Sequence, residues 1–255
     1  MNLQRLIAEG EHQQQDFKFE ITSACKIARS LSAFANTDGG RLLIGVKDNG
    51  AIAGVRSDEE MYMVEAAGEV WCNPPVHCRM TAYRVGVPSS AHETRTVVIA
   101  EVDPAMQRPV CARLEDGSLR AFIRIADENI MASPVRMALW RSETASSGAL
   151  LPLTDEELSL LHLFRQTPND KLVSGEGLGA FGAMDNYQLS ITHYQSSNAN
   201  PSPLTSNPSP LTLNQFCRRA RVPRFRAVRL LATFIRFGLV EEVFQNHAFV
   251  YRAIN

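Results

Sequence analysis

The chain has 255 residues, of which 45% are apolar, and this composition suits one large globular domain or two small ones. Its net charge is only −1, yet residues 213–255 contain eight arginines and two glutamates, so basic charge is concentrated at the C-terminal end. We expect a cytoplasmic protein, because the five cysteines are scattered and the sequence has neither a signal peptide nor an apolar run of the roughly 18 residues that a membrane span requires.

The first predicted elements are a short helix, a strand and a longer helix. The short helix covers residues 4–9, and the strand lies around Phe17, where polar and apolar residues alternate. The longer helix begins after Thr22 or Ser23, either of which can cap it, and it ends at Asn36. Its apolar residues recur at helical spacing, which predicts one face directed at a core.

Two tight turns follow this helix. Residues 36–40, Asn-Thr-Asp-Gly-Gly, contain two glycines that can adopt positive φ, and they lead into a strand over 41–46. The segment Asp48-Asn49-Gly50 then predicts a hairpin turn and a return strand over 51–55. This geometry predicts that the aspartate of the second turn lies alongside Asp16 on a neighbouring strand.

Helix and strand patterns alternate through the rest of the first 140 residues. They predict a helix over 57–71, four strands between residues 76 and 125, and a closing helix over 131–140. The sequence therefore predicts an α+β domain over residues 1–140, followed by a linker over residues 141–153.

Residues 154–255 predict a small winged helix–turn–helix domain. Thr154, with Glu157 three residues later, predicts the start of its first helix, which ends at residue 166. The next helix begins after Thr212, and the last helix covers residues 224–237. Two strands, over 240–244 and 248–253, complete the domain as a hairpin.

Two further features of this region matter below. The last helix has an apolar stripe, which predicts its buried face and consists of Val228, Leu231, Ala232 and Ile235. Residues from about 167 to 211 are rich in Ser, Asn and Gly and repeat Pro-Ser-Pro-Leu-Thr twice. This composition predicts a disordered insert between the first and second helices.

Acidic residues flank the first two predicted strands. Glu9, Glu11 and Asp16 precede or begin the first strand, and Asp48 follows the second. Carboxylates gathered at one end of a sheet can bind Mg²⁺ or Mn²⁺, and such a metal can activate water for phosphodiester cleavage. The alternative interpretation, which composition alone favours, is that they are solvated surface acids.

The first turn is a candidate nucleotide site. Exposed backbone N–H groups at a glycine pair can bind an anion, so the candidate residues are Asn36, Asp38, Gly39 and Gly40. The anion-binding end of a helix is its N-terminus, however, and a helix C-terminal cap explains the two glycines fully. None of the four lysines is followed by Ser or Thr, which argues against a P-loop.

Six arginines within twelve residues span the turn of the predicted helix–turn–helix: Arg218, Arg219, Arg221, Arg224, Arg226 and Arg229. In such a motif the second helix enters the major groove of DNA, where arginine contacts phosphates and pairs with guanine. A solvated basic face, a contact with the acidic first domain and a protein-binding or dimer surface are the alternatives.

Four stretches of the first 140 residues resemble the Schlafen AlbA-type domain. They are EGEHQQQDFK at 9–18, SAFANTDGGRLLIGVKDNGAIAGV at 32–55, NPPV at 73–76, and the segment from RPV to FIRIADENIMAS at 108–133. The resemblance implies a nucleic-acid-handling α+β domain with a mixed sheet. A C-terminal helix–turn–helix is a common companion in bacterial members.

The resemblance also implies candidate sites. Animal relatives cleave tRNA and rRNA with three acidic residues and a divalent metal, and these residues fall by motif position on Glu11, Asp16 and Asp48. The family usually has Glu-Phe-Lys where this chain has Asp16-Phe17-Lys18. Those relatives build their cleft from two copies of the domain, so this chain would need a homodimer. The family's ATP-associated label implies nucleotide binding at the Asn36–Gly40 turn.

The sequence therefore predicts a nucleic-acid-binding protein, with DNA favoured over RNA and no membrane association, that acts as a transcriptional regulator. A ribonuclease dependent on Mg²⁺ or Mn²⁺ and acting on tRNA or rRNA is the first alternative. An ATP-binding regulator is the second.

Overall fold

The computed structural model describes residues 2–87, 90–144, 153–164 and 210–254. Its α-helices are α1 (Leu3–Glu9), α2 (Ala24–Asn36), α3 (Ser57–Trp71), α4 (Pro134–Thr144), α5 (Asp155–Ser159), α6 (Leu213–Ala220) and α7 (Arg224–Arg236). Its strands are β1 (Gln15–Lys18), β2 (Gly40–Ile44), β3 (Cys72–Asn73), β4 (Arg79–Val87), β5 (Ser90–Val102), β6 (Cys111–Arg113), β7 (Leu119–Ile125), β8 (Glu128–Met131), β9 (Leu211–Thr212), β10 (Val240–Gln245) and β11 (Ala248–Ala253). A 3₁₀ helix, Leu160–Phe164, follows α5.

The first part of the chain has an α+β fold in which α2 packs against two four-stranded sheets. One sheet has the order β1-β2-β5-β4, with β1 parallel to β2 and the other pairs antiparallel. The other has the order β3-β6-β7-β8. Ten of the thirteen residues of α2 are buried, because the helix contacts strands of both sheets as well as α3. The α+β class and the mixed sheet predicted from the sequence are confirmed.

The structure differs from the prediction around the second turn. Strand β2 ends at Ile44, and the expected return strand is reduced to a single bridge between Val46 and Ile52. Gly45 has φ of 94°, and its carbonyl accepts hydrogen bonds from the N–H groups of both Ala53 and Gly54. The chain therefore loops back onto Gly45 and does not form a regular hairpin.

The C-terminal unit, residues 153–164 and 210–254, has its own core. Leu213, Phe216, Leu231, Phe234 and Tyr251 are among its buried residues. Both predicted caps are confirmed, since Thr154 and Thr212 each form a reciprocal capping box with the residue three positions later. The predicted first helix is α5 followed by the 3₁₀ helix.

Leu211 and Thr212 form strand β9, so Leu211, the last residue of the predicted insert, is part of the C-terminal sheet. This sheet has the order β10-β11-β9, with β9 antiparallel to β11. Most of the predicted insert and of the predicted linker lies outside the described residues.

Helix α4 connects the two parts. It begins at Pro134, a residue suited to the first position of a helix, and it buries Val135 and Leu139 in the C-terminal core. The buried carboxylate of Glu242 on β10 accepts hydrogen bonds from Ser133 Oγ and from Arg136 Nε, the latter at 2.8 Å. None of the helices in the described segments has the length and apolarity that crossing a bilayer requires.

Candidate nucleic-acid interface

Asp16, the central residue of the predicted acidic set, is buried and paired. It is 3% exposed on β1, with Lys18 Nζ at 2.7 Å from Oδ2 and Arg124 Nη2 at 3.4 Å from Oδ1. Burial alone would raise its pKa, but a hydrogen bond with Glu11 and the charges of Lys18 and Arg124 hold the pKa below the usual value. Asp16 is therefore a carboxylate whose charge is neutralised inside the protein.

Glu11 lies beside Asp16, and its pKa is shifted in the opposite direction. Burial, followed by the hydrogen bond shared with Asp16, raises its pKa above the usual value. Its Oε1 accepts a hydrogen bond of 2.8 Å from the N–H of Phe17, which fixes the loop before β1 against that strand. Of the predicted acidic residues, these two are the pair that the fold brings together.

Asp48 does not join this pair, which corrects the expected geometry. In the parallel register of β1 and β2, Asp16 lies opposite Leu42, whereas Asp48 is an exposed residue in the turn beyond the end of β2. The described part of the chain contains no group of three or more Asp, Glu, His or Cys residues that could hold a metal ion. Glu11, Asp16 and Asp48 therefore do not fit the Mg²⁺ or Mn²⁺ site that the resemblance implies.

Asn36, the first candidate for nucleotide binding, is a structural residue. Its side-chain amide donates hydrogen bonds to the carbonyls of Val110 at 2.7 Å and Phe122 at 2.9 Å, and its Oδ1 accepts from the N–H of Val110 at 2.8 Å. The side chain is buried. These contacts join the end of α2 to the second sheet and leave the amide no exposed group for a ligand.

The glycines of the same turn are required by packing. Gly39 has φ of 71° and donates its N–H to the carbonyl of Phe34, which caps α2. A Cβ on Gly40 would lie 2.3 Å from the Phe34 ring, so only glycine fits there. Asp38 is exposed, and its backbone carbonyl accepts a hydrogen bond from the side chain of Gln14. The contacts of this turn are thus those of a helix cap.

The six arginines between residues 218 and 229, which we call the arginine surface, all lie exposed. Its members are Arg218, Arg219, Arg221, Arg224, Arg226 and Arg229. Among described residues, the side chains of three of them make no hydrogen bond or ion pair: Arg218, Arg221 and Arg229.

The other three members have weak internal contacts. Arg219 donates to the carbonyl of Leu163 at 3.3 Å, and Arg224 donates to Oδ1 of Asn214 at 2.9 Å. Arg226 lies 3.9 Å from an exposed carboxylate oxygen of Glu156. The Arg226–Glu156 contact is a solvent-exposed ion pair, and such pairs contribute about 0 to 1 kcal/mol.

Helix α7 is rotated relative to the prediction. Leu231 and Ala232 of the predicted stripe are buried as predicted, together with Ala227, Leu230 and Phe234, whereas Val228 and Ile235 of that stripe are only half-buried. The centre of the buried face is therefore displaced by about one residue, which corresponds to about 100° around a helix with 3.6 residues per turn. The rotation directs Phe225, which the sequence analysis did not select, into solvent with 70% of its surface exposed.

Phe225 contributes to a shallow surface groove of about 210 Å³ along α7. Its lining residues are Glu157, Phe225, Arg226, Arg229, Leu230 and Thr233. The groove therefore combines an exposed aromatic ring with two members of the arginine surface.

The protein is thus of the α+β class. Its first domain packs two sheets around a buried helix, and a C-terminal unit with basic charge follows. Residues 11–133 match the family model described as Schlafen, AlbA_2. This part of the chain therefore belongs to the Schlafen AlbA_2 family, as the resemblance predicted, and that family is associated with nucleic acids. The match ends immediately before α4.

One solved structure with partial similarity is that of the DIP2311 protein from Corynebacterium diphtheriae. It is 17% identical, with a TM-score of 0.36, over 60% of this chain and 29% of that one. The chain thus spans less than a third of the length of that protein. No curated protein matches the chain significantly.

Proposed function

We propose that the protein is a DNA-binding transcriptional regulator in which the C-terminal unit is a winged helix–turn–helix domain. The supporting element order is β9, α6, α7 and the hairpin of β10 and β11, with β9 paired to β11. In a helix–turn–helix the second helix lies in the major groove with its first turn at the base edges. Here that helix is α7, which begins at Arg224.

The observation that carries the proposal is the arginine surface itself. Six exposed guanidinium groups cluster at the end of α6, in the turn and in the first turns of α7, and three of them lack a described partner. A fold gains nothing from unpaired cations held this close together, since they repel one another. A polyanion bound at this surface removes that repulsion and releases its own counterions.

The geometry of the surface favours DNA over RNA. The major groove of B-form DNA admits an α-helix, whereas the corresponding groove of A-form RNA is too deep and narrow for side chains to read. Three of the arginines lie on α7, and the others lie in the turn and at the end of α6 before it, so the surface includes a helix of the kind that the DNA groove accepts. The homodimer that the resemblance implies stays a prediction.

We also propose a revised domain division. The predicted division assigned residues 1–140 to the first domain and residues 154–255 to the second. Because α4 packs in the C-terminal core and the family match ends at residue 133, we set the boundary between Ser133 and Pro134.

The test is DNA binding measured over a series of salt concentrations with the double variant Arg224→Ala/Arg226→Ala. We expect weaker binding and a log K against log salt slope that is smaller by up to about 2, since each lost phosphate contact lowers the slope by about 0.9. The matched control is Arg56→Ala/Arg84→Ala, which removes two exposed arginines from the first domain. Equal affinity and slope in wild type and the first variant would refute the proposal.

A further inference from the structure

We infer that Phe225 reads sequence in the DNA interface by packing against the C5 methyl group of thymine. The inference rests on the proposed function, because it assigns a role within that interface. It goes further in naming the residue that confers base preference and the base that it selects.

The exposure of Phe225 has no explanation within the fold. It is 70% exposed, and it lies on the opposite side of α7 from the stripe that contains Ala227, Leu231 and Phe234. An aromatic ring in water forgoes the burial that stabilises other rings. Single exposed apolar residues are common on proteins, so exposure becomes informative only through the position of the residue.

The position of Phe225 is that of a base-contacting residue. It is the second residue of α7, and its two sequence neighbours, Arg224 and Arg226, are both exposed members of the arginine surface. When flanking guanidinium groups bind phosphates on either side of a groove, the side chain between them is directed at the groove floor. The floor of the major groove consists of base edges.

The chemistry of the ring selects among those edges. Phenylalanine has no hydrogen-bond donor or acceptor and therefore cannot read the polar groups of guanine, cytosine or adenine. The C5 methyl of thymine is the apolar group that the major groove presents, and uracil lacks it. Phe225 lines a surface groove in which the cations of Arg226 and Arg229 lie beside the ring, and the other lining residues are Leu230, Thr233 and Glu157. An apolar ring next to two cations suits a methyl group that lies between phosphates.

The test begins by selecting preferred sites from random duplex DNA with the full-length wild-type chain. We expect thymine to be enriched at one position or more. Replacing that thymine by uracil, which removes only the methyl group, should weaken wild-type binding about fourfold, as expected for one buried methyl group.

The variant Phe225→Ala should bind thymine and uracil duplexes equally, with an unchanged salt slope, because it removes no charge. Phe225→Leu should retain part of the preference.

The matched control is Tyr62→Ala on α3, another exposed aromatic residue, with 69% of its surface in solvent. It should leave the thymine preference unchanged. Thermal unfolding of both variants should match wild type, which shows that any loss of preference is not a loss of fold.

The outcomes separate the two proposals. Absence of duplex binding by wild type would overturn both the function and the inference. Binding by wild type together with an unaltered thymine preference in Phe225→Ala would overturn the inference alone. If Phe225→Ala changes the oligomeric state and leaves the DNA preference unaltered, the ring makes a protein contact. If Phe225→Ala loses only the binding of single-stranded RNA, the ring stacks on bases. Either result would also overturn the inference.

Discussion

The polar side chains that the sequence marked as candidates have opposite environments in the two parts of the molecule. In the Schlafen AlbA_2 domain, Asp16, Asn36 and Arg124 are buried. Asp16 pairs with Arg124, and Asn36 donates to the carbonyl of Val110. In the C-terminal unit, the members of the arginine surface are exposed and at most weakly paired. A buried polar group must be satisfied by the fold, whereas an exposed unpaired one is available to a ligand. The comparison teaches that these buried polar groups of the Schlafen AlbA_2 domain support the fold, whereas the arginine surface is where we propose that a ligand binds.

The comparison predicts the largest change in the free energy of unfolding for a substitution of Arg124. The residue is 2% exposed, and its guanidinium group donates to Asn129 and to the carbonyl of Gln15 and lies over the Phe34 ring. Arg124→Ala leaves Asp16 short of a partner and should lower the free energy of unfolding by about 3 to 5 kcal/mol. Arg120→Ala, an exposed position on the same strand, should change it by less than about 0.5 kcal/mol. Similar urea midpoints for the two variants would break the comparison.

The next effect concerns Asn36. Asn36→Ala removes the partners of buried backbone groups on Val110 and Phe122, and we expect a loss of about 3 kcal/mol in the free energy of unfolding. Asn214→Ala, on the exposed face of α6, is the control. The loss should be the same with and without ATP in calorimetric unfolding. An ATP-dependent rise in melting temperature for wild type that the variant lacks would restore Asn36 as a ligand residue.

A smaller change in the free energy of unfolding depends on pH. It has opposite signs for substitutions of Asp16 and of its neighbour Glu11. The folded pKa of Asp16 is lowered, so its stabilisation is complete above pH 3.8 and is lost as pH falls through the folded value. Asp16→Asn should therefore be less stable than wild type at neutral pH, with the difference shrinking below pH 3.8. The folded pKa of Glu11 is raised, so ionised Glu11 weakens the fold at neutral pH.

For the same reason, Glu11→Gln should be more stable than wild type at pH 7. This advantage should disappear as pH falls below 4.5, where Glu11 is protonated in both the folded and the unfolded chain. Urea unfolding of both variants from pH 3 to pH 8 measures the two differences. If both variants were less stable, or both more stable, than wild type at pH 7, the two carboxylates would not have contrasting environments.

The smallest effect belongs to the arginine surface. Arg224→Ala/Arg226→Ala should change the free energy of unfolding by less than about 0.5 kcal/mol, since exposed pairs contribute little. The same variant should weaken DNA binding strongly. A loss of stability comparable to that of Arg124→Ala would show that these arginines support the fold and would remove the contrast between the two regions.

Local signals predicted the features that depend on local interactions. The caps at Thr154 and Thr212 are confirmed because a capping box involves only a residue and its third neighbour. The hairpin strands after α7 match the prediction to within one residue. The exposure of the arginines could also be predicted, since six close guanidinium groups cannot be buried together.

Three of the failures involve contacts between distant segments. Asp48 was expected beside Asp16, but the loop around Gly45 and the register of β1 with β2 separate them. Asn36 looked available for a ligand because its partners, Val110 and Phe122, lie more than 70 residues away in sequence. The buried stripe of α7 was shifted by one residue because its neighbours, including α4, decide which side is covered.

The amino-acid sequence by itself determined the α+β class, the family of the first domain, the helix caps and the concentration of positive charge at the C-terminal end. These properties follow from composition, motif and short-range spacing. Only the tertiary structure decided which polar groups are satisfied internally and which face solvent, including the exposure of Phe225. That distinction depends on which segments pack together, and the free energy of a polar or aromatic side chain depends on whether water or protein surrounds it.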